Sequence, residues 1–147
     1  MTSSLRSKGQ RLEQTTEIYI ADTLGELGLI YRLAPIVFMG GSLIRHGGQN
    51  PIEAAKLGAA IAHGPHVGNF TEIYTALDNA GGAEEISDAS TLARRFAGWL
   101  ANPASRDSAA RAGFATVEAQ GGALQRTLSA LEPYLMQLRL GSRGRHA

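Results

Sequence analysis

Apolar and polar positions change rhythm several times along the chain, and each change marks an element. Glu17-Ile18-Tyr19-Ile20-Ala21 is a short run of β-type residues closed by Asp22-Thr23. From there Leu24, Leu27, Ile30 and Tyr31 recur at the spacing of one helix face, predicting a helix to Leu33. Pro35 restarts the chain into Ile36-Val37-Phe38-Met39, an unbroken apolar run of strand length. A polar, glycine-rich stretch from Gly40 leads to a predicted helix from Pro51 to about Leu57, which Gly58 ends in a role that favours glycine. Ala59 to Ala62 reads as a third strand, Gly64 to Gly68 as a turn, and Asn69 to about Asp78 as a helix broken by Gly81-Gly82. Ala83 to Ile86 reads as a short edge strand. From Thr91 onward the chain reads helical over about 91–100, 103–119 and 122–139, with Pro103 where a helix can begin.

This alternation predicts right-handed βαβ units, hence an α/β fold with a Rossmann-like parallel sheet and flanking helices. Three or four strands are few for a complete doubly wound domain, so the chain reads as part of a larger protein. Residues 1–15 read as a flexible N-terminal segment, 16–140 as the folded domain, and 141–147 as a loose basic tail.

Composition narrows the class. The chain has 147 residues, 44% apolar and 18% charged, which suits one soluble globular domain with a real core. A net charge of +1 gives no basic field for nucleic acid. Without cysteine there is neither a disulfide framework nor a thiolate metal site. No apolar run approaches the roughly 20 residues that span a bilayer. The polar stretch Met1 to Gln14 carries no signal-peptide core.

Candidate chemistry gathers at strand-to-helix junctions. Thr23 with Glu26, Asn50 with Glu53 and Asn69 with Glu72 each place a cap residue three positions before a glutamate, the capping-box spacing. Such junctions lie at the carboxyl ends of parallel strands, where these folds bind ligands. Glu26 and Glu53 are therefore placed to accept hydrogen bonds from ribose hydroxyls. The backbone amides of Gly41, Ser42, Gly47 and Gly48 are placed to line an anion. His46 and His66 are candidate ligand contacts by loop position, and Arg45 is an alternative phosphate partner. His63 reads as a satisfied residue at a strand end. His63 and His66 lack a third ligand, so no metal site is expected. Arg94 and Arg95 read as a solvated helix face, and Leu92, Phe96 and Trp99 fall at core spacing. Neither a nucleophile elbow, a phosphate loop of the G-x-x-x-x-G-K-[ST] type nor G-x-G-x-x-G is present. The residues alone thus stop at an α/β domain with a polar, nucleotide-binding edge.

The stretch Asp22 to Leu77 carries D-T-x-G-E-x-G, G-G-S, H-G-G-Q-N-P-x-E and G-P-H-x-x-N-F in that order. In this it closely resembles the 3-deoxy-D-manno-octulosonic acid (Kdo) transferases of lipopolysaccharide synthesis. The resemblance continues more weakly through the helical remainder. It implies the C-terminal, donor-binding half of a two-domain GT-B glycosyltransferase, in which residues 16–140 bind CMP-Kdo. Such an enzyme moves Kdo with inversion onto a lipid A precursor at the cytoplasmic face of the bacterial inner membrane, with no metal or cofactor. The resemblance assigns Leu24, Gly25, Glu26, Asn50, Pro51, Ile52 and Glu53 to CMP. It makes Ser42, His46, Gly47, Gly48 and Gln49 candidates near the phosphate or the Kdo moiety. It places the catalytic base, the membrane anchor, the acceptor surface and a Pro-Arg motif that contacts CMP outside these residues, so the chain alone is expected to be soluble and inactive. A UDP-sugar transferase or epimerase of the same fold, or a stand-alone nucleotide-binding interaction domain, is the competing reading. Ala54-Ala55 and Ala60 to Ala62 are smaller than the residues typical of the family, which predicts a local difference in packing.

Overall fold

The computed structural model describes residues 1–122, 127–134 and 136. The elements follow in the order β1 (Ser3–Leu5), β2 (Ile18–Ile20), α1 (Leu27–Leu33), β3 (Ile36–Met39), α2 (Ile52–Lys56) and β4 (Ala60–His63), then α3 (Thr71–Asn79), β5 (Ala83–Glu85), α4 (Ala89–Ala101) and α5 (Pro103–Gln120). A single 3-10 turn, Gly68–Phe70, leads into α3. The expected helix over 122–139 is present at 127–134 and 136, while the tail 141–147 lies outside the described residues. No helix among the described residues is long and apolar enough to cross a membrane.

Every strand pair is parallel. β3, β4 and β5 form one sheet in that order, with Ile36 opposite Ala60, Met39 opposite His63 and Ile61 opposite Ala83. β1 and β2 form a second pair, Ser3 opposite Ile18 and Leu5 opposite Ile20. The segment 1–15, expected to be flexible, thus contributes a hydrogen-bonded strand. β2 alone gives a sequence signal there, because Ser3-Ser4-Leu5 is too short and polar to show a period. Parallel strands deliver all their carboxyl ends to one edge, so the loops after β3, β4 and β5 share a side of the molecule.

β4 is buried at all four positions, as the middle strand of a sheet covered on both faces must be. Its alternate side chains enter two different cores. Ile61 joins Met39, Ala54, Ala55, Ile73, Tyr74, Leu77 and Val117, the layer formed with α2, α3 and α5. Ala60 and Ala62 face the other way, against Trp99 with Ile36, Phe38, Leu92 and Phe96 packed around it. Leu92, Phe96 and Trp99 are therefore core, as their spacing predicts. The small residues of β4 have a physical reason: Trp99 occupies the volume that larger side chains at positions 60 and 62 would need. Ala54 and Ala55, both fully buried, let the short α2 lie close to the sheet.

The three predicted capping boxes do not form. The N-caps of α1, α2 and α3 are Glu26, Pro51 and Phe70, none with a side-chain cap bond. The reciprocal box lies instead at Asp88–Thr91, where Asp88 caps Thr91 and the Thr91 hydroxyl returns to the Asp88 amide. Asn102 caps α5 through Ser105, with Pro103 in the first turn. Arg6, described below, has claimed Glu26, one of the glutamates that the local pattern assigned to caps.

The turn before β5 is seated on α5 by two glycines. A Cβ on Gly82 would stand 2.6 Å from the backbone of Gly113, closer than real side chains come. Gly98, by contrast, faces open space within α4. Gly82→Ala should therefore lower unfolding stability by about 1–3 kcal/mol through overpacking. Gly98→Ala should raise it by roughly 0.5–1 kcal/mol through helix propensity alone. Urea denaturation of the two variants measures both signs.

Candidate functional site

Ser42 joins the loop after β3 to the loop after β4. Its side chain is completely buried, donates to the carbonyl of Met39, and accepts the amide of Gly64 at 2.8 Å. The carbonyl of Ser42 accepts the amide of His66 at 2.9 Å. The approach is so close that a Cβ on Gly64 would stand 2.4 Å from the Ser42 oxygen. G-G-S and G-P-H, separated in sequence, are in this way one hydrogen-bonded unit.

The second half of the glycine loop is fixed against the start of α3. The amide of Gly48 donates to Gly41 at 3.1 Å, and the amide of Asn69 donates to Gly47 at 3.1 Å. Gly47 has φ +100, a backbone conformation that favours glycine, and lies against the Asn69 side chain, 2.4 Å from where a Cβ would be. Beneath lies a buried polar floor. His63 is held on both nitrogens, by the Gly64 carbonyl at 2.8 Å and Asp78 at 3.0 Å, which is the satisfied strand-end role expected of it. Tyr74 lies against its ring at 4.4 Å and donates to the Gln49 carbonyl at 2.8 Å. Burial pushes the Tyr74 phenol well above its ordinary range, so it remains a donor.

Glu26 and Glu53 have different surroundings. Arg6 forks onto Glu26, Nε to Oε2 at 3.0 Å and Nη2 to Oε1 at 2.6 Å, and Thr23 donates to Oε2 as well. The Arg6 bond first, then that of Thr23, brings the Glu26 carboxyl down to about 2. Ser7, the next residue, binds Asp22 through its amide at 2.8 Å and its hydroxyl at 2.5 Å. The Ser7 hydroxyl, more than its amide, holds the Asp22 carboxyl below the usual range. Glu53 is exposed and makes no hydrogen bond of this kind. Its Oε1 lies against Gly28, 3.1 Å from where a Cβ would be. Burial and then the charge of Glu53 raise the nearby Tyr31 phenol. The D-T-x-G-E-x-G and N-P-x-E segments therefore meet where α1 touches α2.

The structure sorts the remaining candidates. Leu24 is fully exposed, and Gly25, with φ +83, is exposed beside it. Asn50 turns its side-chain oxygen onto the amide of Ile52 at 3.0 Å, Pro51 is buried, and Ile52 is partly open. His46 and Gln49 are exposed, with the His46 ring lying over Gly41. Ser42 and the Gly48 amide are engaged inside the loop. The picture of Gly48 as a free anion donor is corrected, because folding the loop on itself uses that donor. Sequence reasoning missed Arg6 and Ser7, since contacts with residues this distant leave no local pattern. It also missed Arg95, which pairs with Glu84 and lies 5.0 Å over Trp99 rather than on a solvated face. A cavity of about 440 Å³ opens at the end of β5, lined in part by Glu85, Ser87, Thr91 and Arg94. It contains none of the motif residues. Among the described residues no group of three or more His, Asp or Glu is arranged to hold a metal.

Two outcomes test this geometry. Ser42→Ala strands the buried Gly64 amide and should cost about 1–3 kcal/mol in chemical denaturation. Glu26, whose folded value lies near 2 against an ordinary 4.5, stabilises the fold above pH 4.5, and that contribution is lost as pH falls through about 2. Arg6→Gln should accordingly unfold more readily than the parent chain at pH 6, with the difference shrinking as pH falls from 4.5 toward 2.

No protein-family model matches the chain. It is 37% identical over 131 residues to a 3-deoxy-D-manno-octulosonic acid transferase of Haemophilus influenzae, covering 88% of this chain and 31% of that one. It is 40% identical over 119 residues to the transferase of that name from Bordetella pertussis, covering 81% and 28%. The chain thus spans about a third of the length of these curated relatives. Among solved structures it resembles the C-terminal CMP-Kdo binding domain of WaaA from Acinetobacter baumannii, with a TM-score of 0.76 and 29% identity over 79% of this chain and 61% of that one. By sequence and by its Rossmann-like fold, the chain is a homologue of a C-terminal segment of the Kdo transferases.

Proposed function

We propose that this chain is the donor-binding part of a Kdo transferase of the GT-B type, holding CMP-Kdo on the edge built from the glycine loop and the α1–α2 contact. One observation carries the reading. Four motifs spread from Asp22 to Phe70 are tied by direct contacts into one edge, through Ser42 to Gly64, Gly47 to Asn69 and Glu53 to Gly28. The Acinetobacter domain is a CMP-Kdo binding domain, and the likeness to it supports the choice of nucleotide.

In this reading Leu24-Gly25-Glu26 and Asn50-Pro51-Ile52-Glu53 hold CMP. Glu53, not engaged by an internal cation, accepts from the ribose. His46, Gly47 and Gln49 lie toward the phosphate and the Kdo moiety, and Ser42 and Gly48 keep that loop in shape. The edge binds and orients the donor. The base that activates the acceptor hydroxyl, a lipid A precursor as acceptor, and attachment to the cytoplasmic face of the inner membrane belong to the whole transferase.

Calorimetric titration tests the assignment. CMP should bind and UDP should bind less well, and Glu53→Gln should weaken CMP binding about tenfold while unfolding stability shifts by under about 0.5 kcal/mol, as for an exposed side chain. Equal binding of the two nucleotides would favour a UDP-sugar enzyme instead. A Glu53→Gln chain with unaltered CMP affinity would remove Glu53 from the site.

A further inference from the structure

The two residues after β1 touch both acids of the D-T-x-G-E motif and neither is accounted for by nucleotide binding. Arg6 grips Glu26 through two parallel N–H···O bonds, at 3.0 and 2.6 Å. Ser7 grips Asp22 through its amide at 2.8 Å and its hydroxyl at 2.5 Å. The parallel pairing of β1 with β2 sets this up, because Leu5 lies opposite Ile20 and the two chains leave the pair together. The amide of Arg6 adds one more bond of the ladder, to the Ile20 carbonyl at 2.9 Å. A forked guanidinium fixes the plane of a carboxylate, which a lysine cannot do.

The hydrogen bonds already made by Glu26 give this a specific consequence. A carboxylate offers about four acceptor positions. Arg6 Nε and Thr23 Oγ1 occupy those of Oε2, and Arg6 Nη2 occupies one on Oε1. One acceptor position remains, on Oε1, with its direction set by Arg6. We infer that Arg6 is a positioning residue for the donor nucleotide: it orients Glu26 so that Oε1 presents a single acceptor to one hydroxyl of the bound nucleoside, while Ser7 steadies the same loop through Asp22. This inference rests on the proposed function for its ligand, but the clamp itself is independent of it.

The test separates the two. NMR titration of the Glu26 carboxyl carbon in the 147-residue chain should give a midpoint near 2, rising in Arg6→Gln toward the ordinary 4.5, with Arg6→Lys between them. A parent-chain midpoint in the ordinary range would overturn the clamp without any reference to CMP. Affinity for CMP is then measured in Arg6→Gln, Glu26→Gln and the double variant. A positioning role predicts a loss of about fivefold for Arg6→Gln, the scale of one well-formed ion pair. It also predicts that the double variant binds no worse than Glu26→Gln alone. If the Arg6→Gln loss persists undiminished in the Glu26→Gln background, Arg6 acts on the ligand directly and the inference fails. It also fails if Arg6→Gln binds CMP like the parent. If the parent chain does not bind CMP, the proposed function falls and takes the ligand of this inference with it, whatever the carboxyl titration gives.

Discussion

The buried hydroxyl of Ser42 is the joint on which the candidate edge depends. It satisfies the carbonyl that ends β3 and the amide that begins the turn after β4, two backbone groups from which water is excluded. An alanine there would leave a donor unpaired. Because this joint fixes the two loops to each other, the glycines on either side are constrained by contact and not by flexibility. Gly64 must lack a side chain to reach the Ser42 backbone, and Gly47 is favoured by its positive φ beside Asn69. The motifs look like separate fingerprints in sequence and are two sides of one interface in space.

Behind the joint the sheet supplies rigidity. β4 is buried on both faces, with Ile61 in one core and Ala60 and Ala62 under Trp99 in the other. The strand ends at His63, whose ring is tied to Gly64 and Asp78 and packed on Tyr74. Tyr74 in turn holds the Gln49 carbonyl, so α3 is tied to the second half of the glycine loop. A site built this way keeps its shape without a ligand, which lowers the ordering cost of binding one.

What is legible in the sequence follows from how far each signal travels. β3 is readable residue for residue, because Ile36 to Met39 is a continuous apolar run between a proline and glycines. The helices are readable from their period and from Gly58, Gly81 and Pro103. The glutamate caps mislead because Thr23-Glu26 and Asn50-Glu53 have the local spacing of a box, while Arg6 takes Glu26 and Glu53 lies against Gly28 with no side-chain hydrogen bond among the described residues. β1 and the Arg6-Ser7 clamp are hidden for the same reason. Three residues of strand carry no period, and an ion pair to a distant carboxylate leaves no mark on its neighbours. The one box that forms among the described helices, Asp88 with Thr91, escapes the pattern because threonine stands where a glutamate is expected.

These elements amount to one claim, that the glycine loop and the α1–α2 contact form a preformed nucleotide edge. Backbone amide NMR of the isotopically labelled chain during addition of CMP addresses it most directly. The account predicts shift changes concentrated at Gly25, Glu26, Gly47, Asn50 and Glu53, with α4 and α5 unmoved. Changes confined to α4 and α5, or none at any CMP concentration, would contradict it.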